Sequence, residues 1–315
     1  MWDTLTTEAK ERLVRDVAEY LLSLFKLRFS QAGSLCFAPG ATVEVGPLVA
    51  IPFFRAIDGE VRFPQSKPLN LSQFRGPFTR ATDRISSSLR AERYVVEHRR
   101  AELLKEFEGD EARLDLGYRV LKKAIELAEV YPGEQLIGQS ASDITHPFSI
   151  KLDDFSLANI MVCLLVSTPH SSFLLESQVD KGSGKVLGLI DFEATTTAPL
   201  WMCAGFPYWL EDDEDDDSSK NQELARLRGI FTETIKANGK VGEEWLEASE
   251  KGELFRNFAA FLEYEVQAWA RPSMERWVDE RLAFAAKNPG VGMPERTLEE
   301  EIQEKYGICI PASAA

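Results

Sequence analysis

Three oxygen-bearing side chains in this sequence are spaced as phosphoryl-transfer chemistry would need them. Asp154 opens the run Asp-Phe-Ser-Leu-Ala-Asn, a D-x-x-x-x-N spacing that ends at Asn159, and a second carboxylate, Asp153, directly precedes it. The alternating stretch Phe148 to Leu152 comes before the run, and the apolar stretch Ile160 to Val166 follows it. Further on, Val186-Leu-Gly-Leu-Ile190 leads into Asp191-Phe192-Glu193. Phosphoryl transfer asks little of a protein. One carboxylate orients the attacking hydroxyl, and a carboxylate with an amide oxygen holds the metal ions that bridge the nucleotide phosphates. Hard oxygen donors of this kind suit Mg2+. D-x-x-x-x-N alone is a common spacing. Its pairing with Asp191, each piece flanked by apolar strands in the expected order, is far more specific.

The elements that must hold these groups are read from periodicity. Leu13, Val14, Val17, Leu21, Leu24 and Phe25 form a helical core stripe, capped at Thr6 or Thr7, with Glu8 in the first turn and an end near Phe29. Residues 34–54 read as short strands broken at Pro39-Gly40 and Gly46-Pro47, and 58–78 as loop. A helical pattern covers Thr79 to Leu104, with Ile85, Leu89 and Val95 or Val96 toward the core; another, Leu114 to Tyr131, stops at Pro132-Gly133. Residues 167–185 read as an insert that extends a hairpin. After the acidic run Glu211–Asp217, helices are predicted over about 220–237, 253–270 and 274–287, then a short charged one from Thr297.

Composition bounds the answer. The 315 residues are 44% hydrophobic and 10% aromatic, enough for a real core. Thirty-six Lys and Arg stand against 51 Asp and Glu, a formal charge of −15 that argues against nucleic acid as a partner. Cys36, Cys163, Cys203 and Cys309 are scattered and form no CxxC pair, so neither a zinc site nor a disulfide framework is indicated, and a reducing compartment fits. His98, His146 and His170 have no metal-ligand spacing. No signal-peptide pattern and no apolar run of ~20 residues is present, so a cytoplasmic protein with no membrane partner is expected.

Leu152-Asp-Asp-Phe-Ser-Leu-Ala-Asn-Ile-Met-Val162, Gly184-Lys-Val-Leu-Gly-Leu-Ile-Asp-Phe-Glu193 and Ala198-Pro-Leu-Trp201 together resemble the aminoglycoside phosphotransferase-like family, related to choline kinases, and its fungal branch in particular. That branch reads H-D-D-x-S-x-x-N-I-x-V, then G-x-x-x-x-x-I-D-W-E, then A-P-L-W. Leu-Arg-Phe-Ser-Gln-Ala-Gly-Ser-Leu35, the Val45–Ala50 turn and Phe74-Arg-Gly-Pro-Phe-Thr-Arg-Ala81 extend the likeness over nearly the whole chain.

The resemblance implies an α+β, mostly helical fold: the C-terminal (large) lobe of a protein-kinase-like phosphotransferase, with short β-hairpins carrying the catalytic loop. It implies ATP and Mg2+ as cofactors and transfer of the γ-phosphate to a small-molecule hydroxyl. By position, Asp154 would be the catalytic base, and Asn159 and Asp191 the metal ligands. Asp153, Glu193, Trp201 and Tyr208 are candidates for a substrate pocket. A single domain over 1–315 is expected, in three parts: 1–140 helical with a β-like insert, 141–200 carrying the catalytic and metal loops, and 201–315 helical.

The chain also departs from the family. Leu152 stands where the loop His is usual, and no G-x-G-x-x-G or V-A-x-K-like strand precedes residue 140, so the nucleotide-binding small lobe is expected to be missing. Two alternatives therefore accompany the phosphotransferase. One is a pseudokinase-like module without cofactor that binds a small molecule, a second copy or a protein partner on an exposed apolar face toward the small lobe. The other is a nucleotide-independent enzyme using the like-charge pair Asp153–Asp154.

Overall fold

Helix α1 (Thr7–Phe25) starts where Thr6 closes its first turn, its side-chain oxygen accepting the Ala9 amide at 3.2 Å. The computed structural model describes residues 2–37, 40, 42–49, 53, 67, 69–134, 145–153, 155–162, 184–192, 194–212 and 218–295. Asp154, Glu193, His170, the 167–183 part of the insert and the charged segment from Thr297 lie outside them. α1 stops at Phe25 rather than near Phe29, because a strand takes over its end. The Ser149 hydroxyl donates to the Leu24 and Phe25 carbonyls at 3.3 and 3.1 Å, and Phe29 bridges Phe148 in strand fashion. The stripe is also rotated: Leu13, Val14, Val17, Leu22 and Phe25 are buried, while Leu21 and Leu24 face a cleft.

Strands β1 (Gly33–Phe37) and β2 (Val43–Gly46) form an antiparallel hairpin. The helical pattern over 79–104 splits at Arg99 into α2 (Ala81–His98) and α3 (Arg100–Glu106). α4 (Glu111–Val130) is capped by Asp110, which accepts the Arg113 amide at 2.9 Å. Then follow β3 (Phe148–Lys151), β4 (Ile160–Val162), β5 (Val186–Leu189), β6 (Thr196–Pro199), α5 (Leu200–Cys203) and α6 (Ser218–Lys236). The helix expected over 253–270 is two: α7 (Gly239–Phe261) and α8 (Val266–Trp269). They part because the Val266 amide is taken by the Glu92 carboxylate of α2 at 2.8 Å. Helix α9 (Pro272–Lys287) follows.

The result is an α+β fold, mostly helical, with small antiparallel sheets ordered β2-β1-β6-β3 and β4-β5. Among the described residues four apolar clusters make the core, two of them large. One joins α2, α4, α8, α9 and the end of α7 through Leu89, Leu121, Phe255, Phe258 and Trp269. The other joins α1, α6, the start of α7 and the β4–β5 hairpin through Val17, Ile160, Val186, Phe231 and Trp245. α7 runs through both, which is why its apolar residues are not confined to one stripe. Among the described residues no helix is long and apolar enough to cross a membrane.

Candidate active site

Strand pairing brings two turns distant in sequence to one place. β3 and β6 pair with Lys151 opposite Thr196 and Phe148 opposite Pro199, so the loop leaving β3 and the turn entering β6 share one end of the ladder. β4 and β5 pair with Ile160 opposite Leu189, so Asn159 and Ile190 share one end of theirs. The Ile190 amide donates to the Asn159 carbonyl at 2.9 Å and ties the two turns together. Leu152, Asp153 and Phe155 of the loop and Ile190, Asp191 and Thr195 of the turn line one narrow crevice of about 10 Å³.

α1 fixes both hairpins. Ser149 of β3 bonds its last carbonyls, and Asp16 accepts the Val186 amide of β5 at 2.8 Å. Asp191 is exposed and sits at φ 60°, with Ala194 at φ 57° in the same turn. The left-handed region costs an L-residue about 1–2 kcal/mol, least for Asp and Asn. Strain of this kind persists only where surroundings impose it, and it clusters at functional turns. The side-chain oxygens of Thr195 and Thr196, next along the chain, are buried without a hydrogen-bond partner.

Asp153 forms an ion pair with Lys151. Burial pushes the Lys151 ammonium down to about 8, the charge of Arg84 adds to the shift, and Glu263 opposes it. Contact with Asp153 also opposes it, by favouring the charged form. Cys203 is the reverse case: burial pushes its thiol up to about 12, so it stays protonated and inert.

A larger cleft of about 230 Å³ opens on the other side of Leu152 and Phe155. Its walls include Leu21 and Leu24 of α1, Lys151, Asp153, Met202, Phe206, Tyr208 and Arg256. A second cleft of about 360 Å³ adjoins it across Phe206 and Arg256 and carries Glu211, Asp212 and Glu253.

The expected site residues separate accordingly. Asp153 and Asp191 meet at the crevice. Asn159 is buried at the end of the short 3-10 turn Leu157–Asn159 that enters β4. Tyr208 stands on the rim of the 230 Å³ cleft, 62% exposed. Trp201 lines neither cleft: it is 1% exposed in the core, with its ring 5.8 Å from that of Phe255. Leu152 faces both crevice and cleft, so an apolar contact occupies the usual His position.

Lys151, Arg84 and Arg256 were not foreseen. Lys151 is the lone cation of an otherwise apolar strand end. Arg84 falls on one helical face with Ala81 and Ser88, at spacings of three and four residues. Neither pattern tells a buried cation from a solvated one.

Among the described residues no group of three or more His, Cys, Asp or Glu side chains could hold a metal. Asn159 and Asp191 lie on two turns joined by a backbone hydrogen bond, and their side chains are an amide and a carboxylate. That donor set fits Mg2+, which takes few protein ligands and completes its shell with water and phosphate. No protein-family description, curated protein or solved structure matches the chain.

Proposed function

We propose that this chain carries the loop-bearing half of a kinase-like phosphotransfer site, the large lobe of an aminoglycoside phosphotransferase-like fold, built to phosphorylate a small-molecule hydroxyl. The observation that carries this reading is the junction of the Asn159 and Asp191 turns: a backbone hydrogen bond, an exposed carboxylate on left-handed backbone and a shared crevice with the Asp153 loop. Asn159 and Asp191 would hold Mg2+, which when bound to ATP would neutralise the charge of the transferring phosphoryl group. Asp154 would accept the proton of the acceptor hydroxyl, and Asp153, neutralised by Lys151, shapes the loop. Tyr208 and Phe206 offer an apolar wall to the acceptor.

A thermal-shift titration of the whole chain with ATP, with and without Mg2+, tests the reading. A ligand that binds only the folded state stabilises it by about 2.7 kcal/mol at one hundred times its dissociation constant. A saturable, Mg2+-dependent rise that Asp191→Ala removes is expected, with Asp154→Ala sparing the rise and removing turnover. No shift at millimolar ATP sinks it.

A second reading has its own observation. Met161, Leu187, Ile190 and Phe192 are between 44% and 54% exposed on and beside the β4–β5 hairpin, an apolar surface suited to a binding module without turnover. Leu187→Lys should then change the sedimentation of the chain or its capture of a partner; unaltered behaviour in both assays counts against it.

A further inference from the structure

The charged groups that line the 230 Å³ cleft, Lys151 and Arg256 against Asp153, sum opposite in sign to the net charge of the chain. Arg84, on α2, is 6% exposed, makes no ion pair among the described residues, and leaves its Nε without a hydrogen-bond partner. An unpaired buried guanidinium is one of the costliest arrangements a fold can hold. It lies within electrostatic range of Lys151, and the two cations repel. Glu263 is in range of both but pairs with neither.

Arg256 is a third cation. It donates to the Ala204 carbonyl at 2.6 Å and to the Ser249 carbonyl at 2.8 Å, and touches no carboxylate among the described residues. Lys151 and Arg256 both line the cleft, where Asp153 is the single acid in contact with either. Thr196, directly opposite Lys151 in the β3–β6 ladder, is buried with an unpartnered hydroxyl. Leu21, Phe206 and Tyr208 supply an apolar wall.

We propose that this cleft binds a small carboxylic acid, its carboxylate held by the Lys151 end and its compact apolar body laid against Leu21, Phe206 and Tyr208. A net charge of −15 would point to an amine, but recognition follows the local groups, and the two cations that line the cleft, Lys151 and Arg256, against one lining carboxylate, Asp153, favour an anion, with Arg84 adding to the positive field behind Lys151. The inference deepens the phosphotransfer reading by naming the acceptor as a hydroxylated acid. Acid binding itself needs no nucleotide, so the two can fail separately.

The test uses phloretate and tyramine, which share a hydroxyphenyl-ethyl body and differ in the sign of the end group. Binding to the whole chain is measured by isothermal titration at neutral pH, without ATP or Mg2+. Phloretate should bind at least tenfold more tightly than tyramine. Lys151→Met should weaken it tenfold or more, Lys151→Arg should retain it, and Leu21→Trp, which fills the cleft, should remove it. Arg84→Met should weaken the acid while raising the melting temperature, since it deletes an unpaired buried charge; a merely structural Arg84 would lower it. Equal or tighter tyramine binding, no phloretate binding at millimolar concentration, or phloretate binding indifferent to Lys151→Met each overturns the proposal. None of these outcomes touches the Mg2+–ATP shift, which judges the phosphotransfer reading alone.

Discussion

A single methyl group at Gly184 should loosen the hold of α1 on the strand that carries Asp191. Gly184 sits at φ 57°, and a Cβ built there would lie 2.0 Å from the Ala9 carbonyl oxygen and 2.6 Å from its carbonyl carbon and Cα. All three atoms are backbone, so no rotamer change relieves the contact. Placing Ala in the left-handed region costs about 1–2 kcal/mol. Forcing two packed backbones apart adds about 1–3 kcal/mol. Gly184→Ala is therefore expected to lose about 2–5 kcal/mol, a large part of the ~5–15 kcal/mol a typical domain has. Urea unfolding followed by tryptophan fluorescence measures it. Gly229→Ala on α6, where a Cβ meets nothing within 4 Å, is the control. It should gain about 0.5–1 kcal/mol. A loss below about 1 kcal/mol for Gly184→Ala would mean that β5 is not pinned to α1 at this point. α1 would then not position the Asp191 turn.

Three further outcomes are expected. The Lys151 ammonium is pushed down to about 8 in the fold against 10.5 ordinarily, so the unfolded chain binds the extra proton between those values and stability rises with pH through that window. The burial penalty is full below pH 8, and the wild-type minus Lys151→Met unfolding free energy should climb by about 1–3 kcal/mol from pH 7 to 10; a flat difference rejects it. Iodoacetamide followed by peptide mass spectrometry should label exposed Cys36 in the native protein and half-buried Cys203 only after unfolding, because the Cys203 thiol is pushed up to about 12 and held protonated; native labelling of Cys203 contradicts that. Ala194→Gly, at φ 57°, should raise the urea midpoint by an equivalent of about 0.5–1 kcal/mol, the relieved strain less the entropy Gly adds to the unfolded chain; a lower midpoint shows the turn is not strained.

The local rules of sequence were a good guide to the helices and a poor one to the charges. Thr6, the α1 stripe and the Pro132-Gly133 stop are set within a turn or two of chain, so periodicity and capping reveal them. The helix limits that shifted did so for long-range reasons: Ser149 ends α1 from a distant strand, and Glu92 ends α7's line by taking the Val266 amide. The D-x-x-x-x-N and Asp191 pieces were legible because each lies at a strand end, and antiparallel pairing does the rest. Trp201 was read toward a pocket because it follows Asp191 closely in sequence. Its place is fixed instead by α5 docking on α7, where it packs against Gly252 and Phe255. Lys151 and Arg84 escaped notice because burial of a charge is a tertiary property that no window of sequence contains.

Exceptions to the rules of folding are not spread evenly through this chain. The indole nitrogens of Trp201 and Trp245 are buried without partners, but each belongs to a large apolar ring whose burial outweighs one missing bond. Arg281 also leaves its Nε unpaired, yet it stacks on Trp277 and pairs with Glu295. Around the β3–β6 ladder only Lys151 has such an offset, its ion pair with Asp153. Asp191 and Ala194 are in the left-handed region, Thr195 and Thr196 have idle hydroxyls, and Arg84 is a buried cation with an unpartnered Nε whose charge repels that of Lys151. A fold with a margin of about 5–15 kcal/mol does not keep that much strain at one place without a reason. If the reason is a ligand, the relaxing changes Ala194→Gly and Arg84→Met should each stabilise the empty protein, and Arg84→Met should also weaken what it binds. If the reason is packing alone, Arg84→Met should destabilise. The sign of that one stability change decides whether the tension in this sheet belongs to function or to folding.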